Sequence, residues 1–329
     1  MDLFTHVIIA YLISFGLTLG KSPVYIAAGS LAGGLPDSDI LLMPLAHRFP
    51  LLRHHGITHS ILGVTIFAIG GAILGPMVVP GANAWLLLLF MEIGGLVHIL
   101  LDGFTHFAVP PFAPFSNVEL HLDADRAVNG VTLAMSLTSF FLLVYERNTV
   151  PLADWLITGW LLLVTYLGYL VLRGVARYIV GKEMKKEGYT AVIPTANPFH
   201  WLLVEEHEAS GSWSTRFAQY TIGRGIRSPQ KTIGIEAPPP ATLPVTTANE
   251  AIQLSYRPAM QRSRWLASTY RYATVNSSAN GFRVQWFSIE FTVFGRAPGI
   301  RVDLDARTGE MHLERSWFRL RDLSNPNLH

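Results

Sequence analysis

Hydrophobic residues are unevenly distributed along the chain, and the long apolar runs lie before residue 180. A membrane-spanning helix needs roughly 20 mostly apolar residues. Four runs approach that length and two shorter runs precede them: Ser60–Val79, Ala84–Leu101, Ala127–Tyr145, Trp155–Leu172, and the shorter Val7–Leu19 and Pro23–Leu35. The pattern predicts an α-helical polytopic membrane domain with about six hydrophobic segments, the first two short.

After Lys186 the runs become shorter and alternate with polar residues, which is typical of β-strands. Trp201–His207 and Trp213–Ile222 are separated by Gly211 and predict a hairpin. Further strands are predicted at Ser268–Val275, Gly281–Phe294, Gly299–Asp305 and Glu310–Trp317. This part of the chain therefore predicts a small, mainly antiparallel β domain.

Two segments of the C-terminal half lack a strand pattern. Ser228–Asn249 contains Pro238-Pro239-Pro240 and predicts a loop, while a short helix is expected at Ala248–Leu254 or Pro258–Leu266. The tryptophans of this half are expected in the core rather than in a ligand cage: Trp201, Trp213, Trp265, Trp286 and Trp317. The predicted organisation is a membrane-embedded helical domain over 1–180, a basic linker over 181–199 and a soluble β-rich domain over 200–329.

Composition supports a membrane protein. Charged residues make up 15% of the chain and hydrophobic residues 50%, whereas a soluble domain carries about 25% charged residues. The net charge of +2 gives no reason to expect a nucleic-acid partner, and the absence of cysteine excludes disulfides and thiolate metal sites. The N-terminus lacks the pattern of a cleaved signal peptide, so we expect the first apolar segment to be retained.

Basic residues predict the orientation of the chain, because Lys and Arg near helix ends favour the cytoplasmic side. They cluster after the last apolar run, at Arg173, Arg177, Lys182, Lys185 and Lys186. The expected location is therefore the inner (plasma) membrane, multi-pass, with the C-terminal domain in the cytoplasm. Counting segments backwards places the loops that carry most His and Asp residues on that same side.

Nine His and Asp residues lie in or beside these loops, in three short motifs and at the N-terminus. They are His6, Asp37, Asp39, His54, His55, His59, His98, Asp102 and His106. His98, Asp102 and His106 are spaced by four and would share a helix face if the helix ran through Gly103. Taken singly, each has a structural explanation, such as an interfacial histidine or an aspartate helix cap. Their convergence on one side favours a metal site.

Imidazole and carboxylate ligands together suit Zn or Mn, and we expect a divalent metal ion. The predicted metal ligands are His6, Asp37, Asp39, His54, His59, His98 and Asp102. Asp39, His55 and His106 are predicted to be catalytic. Two ions, or one ion with separate acid–base groups, would fit this surplus of ligands.

The motifs resemble those of a known family, the LexA-binding, inner-membrane-associated metal-dependent hydrolases (YdjM-like). The resemblance covers roughly residues 1–130 and rests on Asp2-x-x-Thr5-His6, Leu35-Pro36-Asp37-Ser38-Asp39, His54-x-Gly56-Ile57-Thr58-His59-Ser60 and Gly95-x-x-His98-x-x-x-Asp102-x-x-Thr105. One departure is His55, where the family usually has arginine. If that arginine contacts a phosphate, His55, Arg53 or Arg48 replaces it here, or the substrate differs.

These observations predict a membrane-bound metal-dependent hydrolase that acts on a phosphoester at the cytoplasmic face. The expected partners are the lipid bilayer, a small-molecule or lipid-linked phosphoester and a cytoplasmic protein. Two alternatives stay open at this point. One is an ion-binding transporter, which requires ligands spread through the membrane depth, and the other is a non-catalytic membrane adaptor with a structural metal.

Overall fold

The structure is a computed structural model. It describes residues 1–42, 56–106, 108–116, 118–187, 189, 191–195, 197–209, 212–236, 244–262, 271–288 and 296–319. The chain divides into a unit formed by Met1–Ile179 with Pro194–Pro198, and a second unit formed by Val180–Ile193 with Phe199–His329.

The first unit is helical, as the hydrophobic pattern predicts. Its helices are α1 (Leu3–Leu17), α2 (Pro23–Gly34), α3 (Ile61–Val78), α4 (Ala84–Gly103), α5 (Gly130–Thr149) and α6 (Leu152–Lys186). Short 3₁₀ helices occupy Pro36–Leu42 and Ile57–His59. Among the described helices, α3, α4 and α6 are long and apolar enough to cross a membrane, and α1 is a shorter apolar helix. The number of crossings stays a prediction.

Helix α6 extends further than the sequence pattern indicates. The predicted segment ends at Leu172 and a linker is expected from residue 181, but α6 continues to Lys186 and a strand follows at Ala191–Pro194. No proline interrupts the chain from Leu152 to Lys186, so nothing in the sequence stops the helix where the apolar run ends.

Helices α1, α2 and α4 approach each other closely because glycines lie between them. A Cβ atom on Gly29 of α2 would lie 2.1 Å from Ser14 Oγ of α1, and one on Gly94 of α4 would lie 2.1 Å from the Gly29 carbonyl oxygen. Gly33, one turn beyond Gly29, meets α1 in the same way, with Ala10 Cβ at 2.6 Å. Small residues spaced by four are a common device for close helix packing in membranes.

The second unit contains two four-stranded sheets and one helix. The strands are β1 (Ala191–Pro194), β2 (His200–Ala209), β3 (Ser212–Thr221), β4 (Gly225–Glu236), β5 (Arg271–Ser278), β6 (Gly281–Ser288), β7 (Arg296–Asp305) and β8 (Met311–Arg319), in the orders β1-β2-β3-β4 and β5-β6-β7-β8. The predicted hairpin is β2–β3, which pair antiparallel. The loop predicted at Ser228–Asn249 is wrong in its first part. Strand β4 continues to Glu236 and pairs with β3, so that Ile235 lies opposite Trp213.

The core of the second sheet lies against α7 (Ala248–Arg262), which covers the expected segment Ala248–Leu254 and the described part of the other, Pro258–Arg262. Trp286 is fully buried there and donates its indole N–H to Ser255 Oγ at 2.9 Å. Trp201 is also fully buried, whereas Trp317 is 55% exposed, so its predicted core position is wrong. Trp317 lies on β8, which ends its sheet and has a single neighbouring strand. The side chains of Trp213 and Trp265 lie outside the described residues.

Candidate metal centre

Three helix ends meet at one level of the first unit and bring His and Asp residues together. Asp37 follows the end of α2 and His59 precedes the start of α3, while His98 and Asp102 lie one turn apart at the end of α4. One ligand atom from each of these four residues lies within 4.8 Å of the other three. We call these residues the four-residue cluster. Segments that are distant in sequence supply it because the helices alternate in direction.

The ring nitrogens of the two histidines face the same two carboxylates. His98 Nε2 lies 3.2 Å from Asp102 Oδ2 and 3.8 Å from Asp37 Oδ1. His59 Nε2 lies 3.5 Å from Asp37 Oδ1 and 3.5 Å from Asp102 Oδ2. His59, His98 and Asp102 are almost completely buried. The cluster therefore forms a closely spaced set of nitrogen and oxygen donors shielded from water.

A second layer of contacts orients both rings. His98 Nδ1 lies 2.8 Å from the carbonyl oxygen of Gly33. Since a carbonyl only accepts, this nitrogen carries the proton, and Nε2 of the neutral ring is left with a lone pair that faces the cluster. His59 Nδ1 similarly lies 3.3 Å from Asp39 Oδ2, and Thr58 donates its hydroxyl to that same oxygen at 2.6 Å. Such outer contacts are typical of histidines that bind a metal.

His6 adjoins the cluster from the first turn of α1. Its ring stacks on that of His98 with centroids 3.9 Å apart, and its Nε2 lies 3.1 Å from Asp102 Oδ1. Among the described residues, neither ring nitrogen of His6 nor Nε2 of His98 has a hydrogen bond of good geometry. Buried polar atoms are normally hydrogen-bonded or bound to a metal, so these nitrogens are suited to bind a metal ion.

The electrostatic environment of the cluster favours a cation. Burial alone would raise the pKa of Asp37, but the nearby rings of His59 and His6 hold it well below its usual range. Burial alone would lower the pKa of His59, but Asp37 and Asp39 raise it to about 9. The amino group of Met1 also contacts Asp102. The carboxylates thus attract positive charge to this position.

The donor set fits a divalent metal ion. Two imidazole nitrogens and two carboxylate oxygens match the three or four protein ligands of a zinc site, and the carboxylates also suit Mn. Such an ion would also account for the ring nitrogens of His6 and for Nε2 of His98. Among the described residues these nitrogens have no good hydrogen bond. Residues Asp37, His59, His98 and Asp102 would hold the ion, with His6 next to them.

Other predicted site residues lie outside the four-residue cluster. Asp39 is buried behind His59, on the side of Nδ1, because residues two apart in a 3₁₀ helix point in different directions. Helix α4 ends at Gly103, and beyond it Thr105 donates to the Asp102 carbonyl oxygen through its N–H and its hydroxyl. The condition under which His106 would share a helix face with His98 and Asp102 is therefore not met. His54, His55, Arg48 and Arg53 lie outside the described residues.

Sequence reasoning missed several groups around the cluster. The Gly33 carbonyl is a backbone atom that carries no sequence signal, although Gly33 lies three residues before the Pro36-Asp37 motif. Thr58 lies inside the His59 motif and was available as a partner of Asp39. The fully buried pair of Asp125 and Arg173, 3.3 Å apart, was missed because Arg173 was interpreted as a basic residue facing the cytoplasm.

Comparisons with known proteins add one match. A family model described as "YdjM inner membrane protein" matches residues 1–179, which is more than half of the chain and includes every residue of the four-residue cluster. No curated protein and no solved structure matches the chain.

Proposed function

Because the chain belongs to the YdjM inner membrane protein family and gathers a metal-competent cluster, we propose that it is a membrane-bound, metal-dependent hydrolase of phosphoesters. Family membership and the apolar helices support an inner-membrane location. One observation carries the proposal: Asp37, His59, His98 and Asp102 offer ligand atoms within 4.8 Å of one another. The chain has no cysteine to act as an alternative nucleophile.

In this proposal the four-residue cluster holds the ion and the second layer keeps the rings in place. A bound divalent ion polarises a phosphoryl oxygen and makes water a stronger nucleophile at neutral pH. The Gly33 carbonyl oxygen fixes the tautomer of His98, and Asp39 with Thr58 fixes that of His59. His6 completes the ligand set from α1. His55, His106 and Asp39 stay our candidates for proton transfer.

The proposed side of the membrane is the cytoplasmic one, with the C-terminal unit on the same side. Arg177, Lys182, Lys185 and Lys186 lie in the last turns of α6, and Lys and Arg at helix ends favour the cytoplasm. The connection between α4 and α5, which starts at the end of α4 that carries the cluster, exposes several large apolar side chains: Phe112, Phe115, Val118, Leu120 and Leu122. Exposed apolar groups on the loop that follows the cluster suit a lipid-linked phosphoester.

A transporter is less well supported by the geometry. Ion transport needs ligands through the depth of the membrane, whereas the four-residue cluster lies at one level. Glu92 of α4 lies deeper and accepts a hydrogen bond from Thr65 at 2.9 Å. It lies six residues before His98, about 9 Å along the helix axis, and it does not belong to the cluster.

The first experiment is the metal content of the full chain purified in detergent, measured by elemental mass spectrometry. We expect near-stoichiometric Zn, Mn or Fe in the wild type and its loss in folded His98→Ala and Asp102→Asn. His121→Ala is the matched control, because His121 is exposed, contacts Asp123 and lies outside the cluster. This variant should retain the metal of the wild type.

Phosphoester hydrolysis is then assayed with the metal that binds. Activity that is present in the wild type and in His121→Ala, and absent in the cluster variants, would support the proposal. A wild-type chain that binds no metal after reconstitution would refute the hydrolase. Stoichiometric metal without hydrolysis of soluble or lipid phosphoesters would leave the adaptor with a structural metal as the better account.

A further inference from the structure

The connection between α4 and α5 folds back onto the end of α4 that carries the cluster. Leu122 N–H donates to the Gly103 carbonyl oxygen at 2.8 Å, and Ala124 N–H donates to the Phe104 carbonyl oxygen at 3.1 Å. Thr105 and Asp125 form a parallel bridge. The backbone that leads into Arg126 is therefore fixed beside the residues that directly follow Asp102.

One carboxylate oxygen of Asp125, Oδ1, is engaged by groups other than the Arg126 side chain. Asp125 is completely buried, its Oδ1 lies 3.3 Å from Arg173 Nη2, and it accepts hydrogen bonds from Asn129 Nδ2 at 2.7 Å and from the Arg126 backbone N–H at 2.8 Å. Arg173 also donates to the Pro198 carbonyl oxygen at 2.7 Å. This network fixes the loop without using the side chain of Arg126.

The Arg126 guanidinium is partly buried, yet it forms no hydrogen bond or ion pair with any residue that the structure describes. Burial lowers the pKa of this group, and the neighbouring Asp125 carboxylate opposes the shift. By contrast, the two other arginines near this loop have carboxylate partners. Arg173 pairs with Asp125, and Arg177 Nη2 lies 3.5 Å from Asp123 Oδ2. A partly buried charge is stabilised by a direct counter-ion, and among the described residues Arg126 has no ion pair of its own.

We propose that Arg126 binds a phosphate oxyanion of the substrate. That the anion is a phosphate rests on the proposed function. Its position rests on the guanidinium, which has no ion pair among the described residues. Arginine is suited to this role, because its planar group donates two parallel hydrogen bonds to phosphate. The anion comes either from a lipid headgroup, which the exposed apolar side chains at Phe112 and Phe115 favour, or from a soluble phosphate ester.

The test measures binding of inorganic phosphate to the full chain in detergent by isothermal titration calorimetry, with metal content determined on the same samples. We expect Arg126→Gln to weaken phosphate binding about tenfold or more and Arg126→Lys to weaken it less, because lysine keeps the charge but loses the planar fork. Metal content should be unchanged in both. Arg177→Gln is the control, since it removes a nearby arginine that already has a carboxylate partner.

A second arm measures flotation with vesicles of phosphatidylcholine alone and with added phosphatidic acid. Weaker phosphate binding together with weaker binding to phosphatidic acid would identify a lipid phosphate, and loss with inorganic phosphate alone would identify a soluble ester. Unchanged phosphate binding in both Arg126 variants would overturn the proposal. An effect seen only with vesicles would also overturn it, because Arg126 would then contact the bilayer surface rather than a substrate phosphate. A wild type that binds phosphate but no metal would instead refute the hydrolase while leaving this site intact.

Discussion

At the scale of single residues, the geometry separates two aspartates that the sequence cannot separate. Asp37 and Asp39 are two positions apart in one 3₁₀ helix, yet Asp37 faces Nε2 of His59 and Asp39 faces its Nδ1. A neutral imidazole that donates through Nδ1 offers its lone pair at Nε2. Asp39 is therefore placed to orient a ligand rather than to serve as one in the four-residue cluster.

This assignment predicts the behaviour of Asp39→Asn. The variant keeps the shape of the side chain but removes the negative charge that holds the His59 ring, so metal affinity should fall by about 10- to 100-fold while binding persists. Isothermal titration calorimetry with the metal ion measures the change in affinity. Asp123→Asn serves as the control, because Asp123 contacts His121 and Arg177 rather than the cluster. A folded Asp39→Asn with wild-type affinity would contradict the assignment.

At the scale of helices, the position of the cluster depends on how closely α1, α2 and α4 pack. Gly33 of α2 contacts both of the other helices. A Cβ there would lie 2.6 Å from Ala10 Cβ and 3.0 Å from the His6 carbonyl oxygen, both on α1. The Gly33 carbonyl oxygen contacts His98 on α4. An added methyl group must push α1 away from α2. That movement displaces His6 and His98 together.

We therefore expect Gly33→Ala to reduce both stability and metal affinity. Overpacking a tight contact costs about 1–3 kcal/mol, and the displaced ring should weaken metal binding further. Gly70→Ala is a matched control within α3, since no atom lies within 4 Å of its added Cβ. Thermal unfolding in detergent and metal titration of both variants test this. Equal behaviour of the two would show that close packing at Gly33 does not position the centre.

The sequence predicted which residues supply the site better than it predicted where the helices that carry them end. Asp37, His59, His98 and Asp102 were predicted to lie on one side of the membrane from the apolar runs, because consecutive spans reverse direction and every second connection lies on the same side. The break at Gly103 could not be predicted, since it depends on Thr105 bonding the Asp102 carbonyl oxygen and on the returning loop. That break separates His106 from the helix face of its neighbours.

At the scale of the whole molecule, the helical and β parts of the chain were predictable from composition, whereas their limits were not. Helix α6 has 35 residues, about 52 Å at 1.5 Å per residue, which exceeds the roughly 30 Å of a bilayer core. Hydropathy detects only the apolar part of such a helix. Strand β4 was missed because the prolines that follow it dominate the local pattern.

The proposed orientation predicts which positions are reachable from outside the cell. Because the chain has no cysteine, single cysteines can be introduced at Pro80, between α3 and α4, and at Phe115 and Thr308. A membrane-impermeant maleimide added to intact cells should label Pro80→Cys, and should label Phe115→Cys and Thr308→Cys only after permeabilisation. Labelling of Thr308→Cys in intact cells would contradict the proposed orientation. Labelling of Pro80→Cys and Phe115→Cys from the same side would exclude a crossing by α4.

The origin of the four-residue cluster in three separate helix ends has a consequence for the biogenesis of the protein. In the proposed topology, a nascent chain whose first three helices have been inserted carries Asp37 and His59 but lacks His98 and Asp102. The cluster forms only when α4 follows, so the proposed ion would be acquired after insertion. Before an ion binds the assembled cluster, the Asp37 and Asp102 carboxylates are balanced, among the described residues, only by His59 and the Met1 amino group. Metal starvation should therefore shorten the lifetime of newly made protein, by leaving it in a form that membrane quality-control proteases degrade.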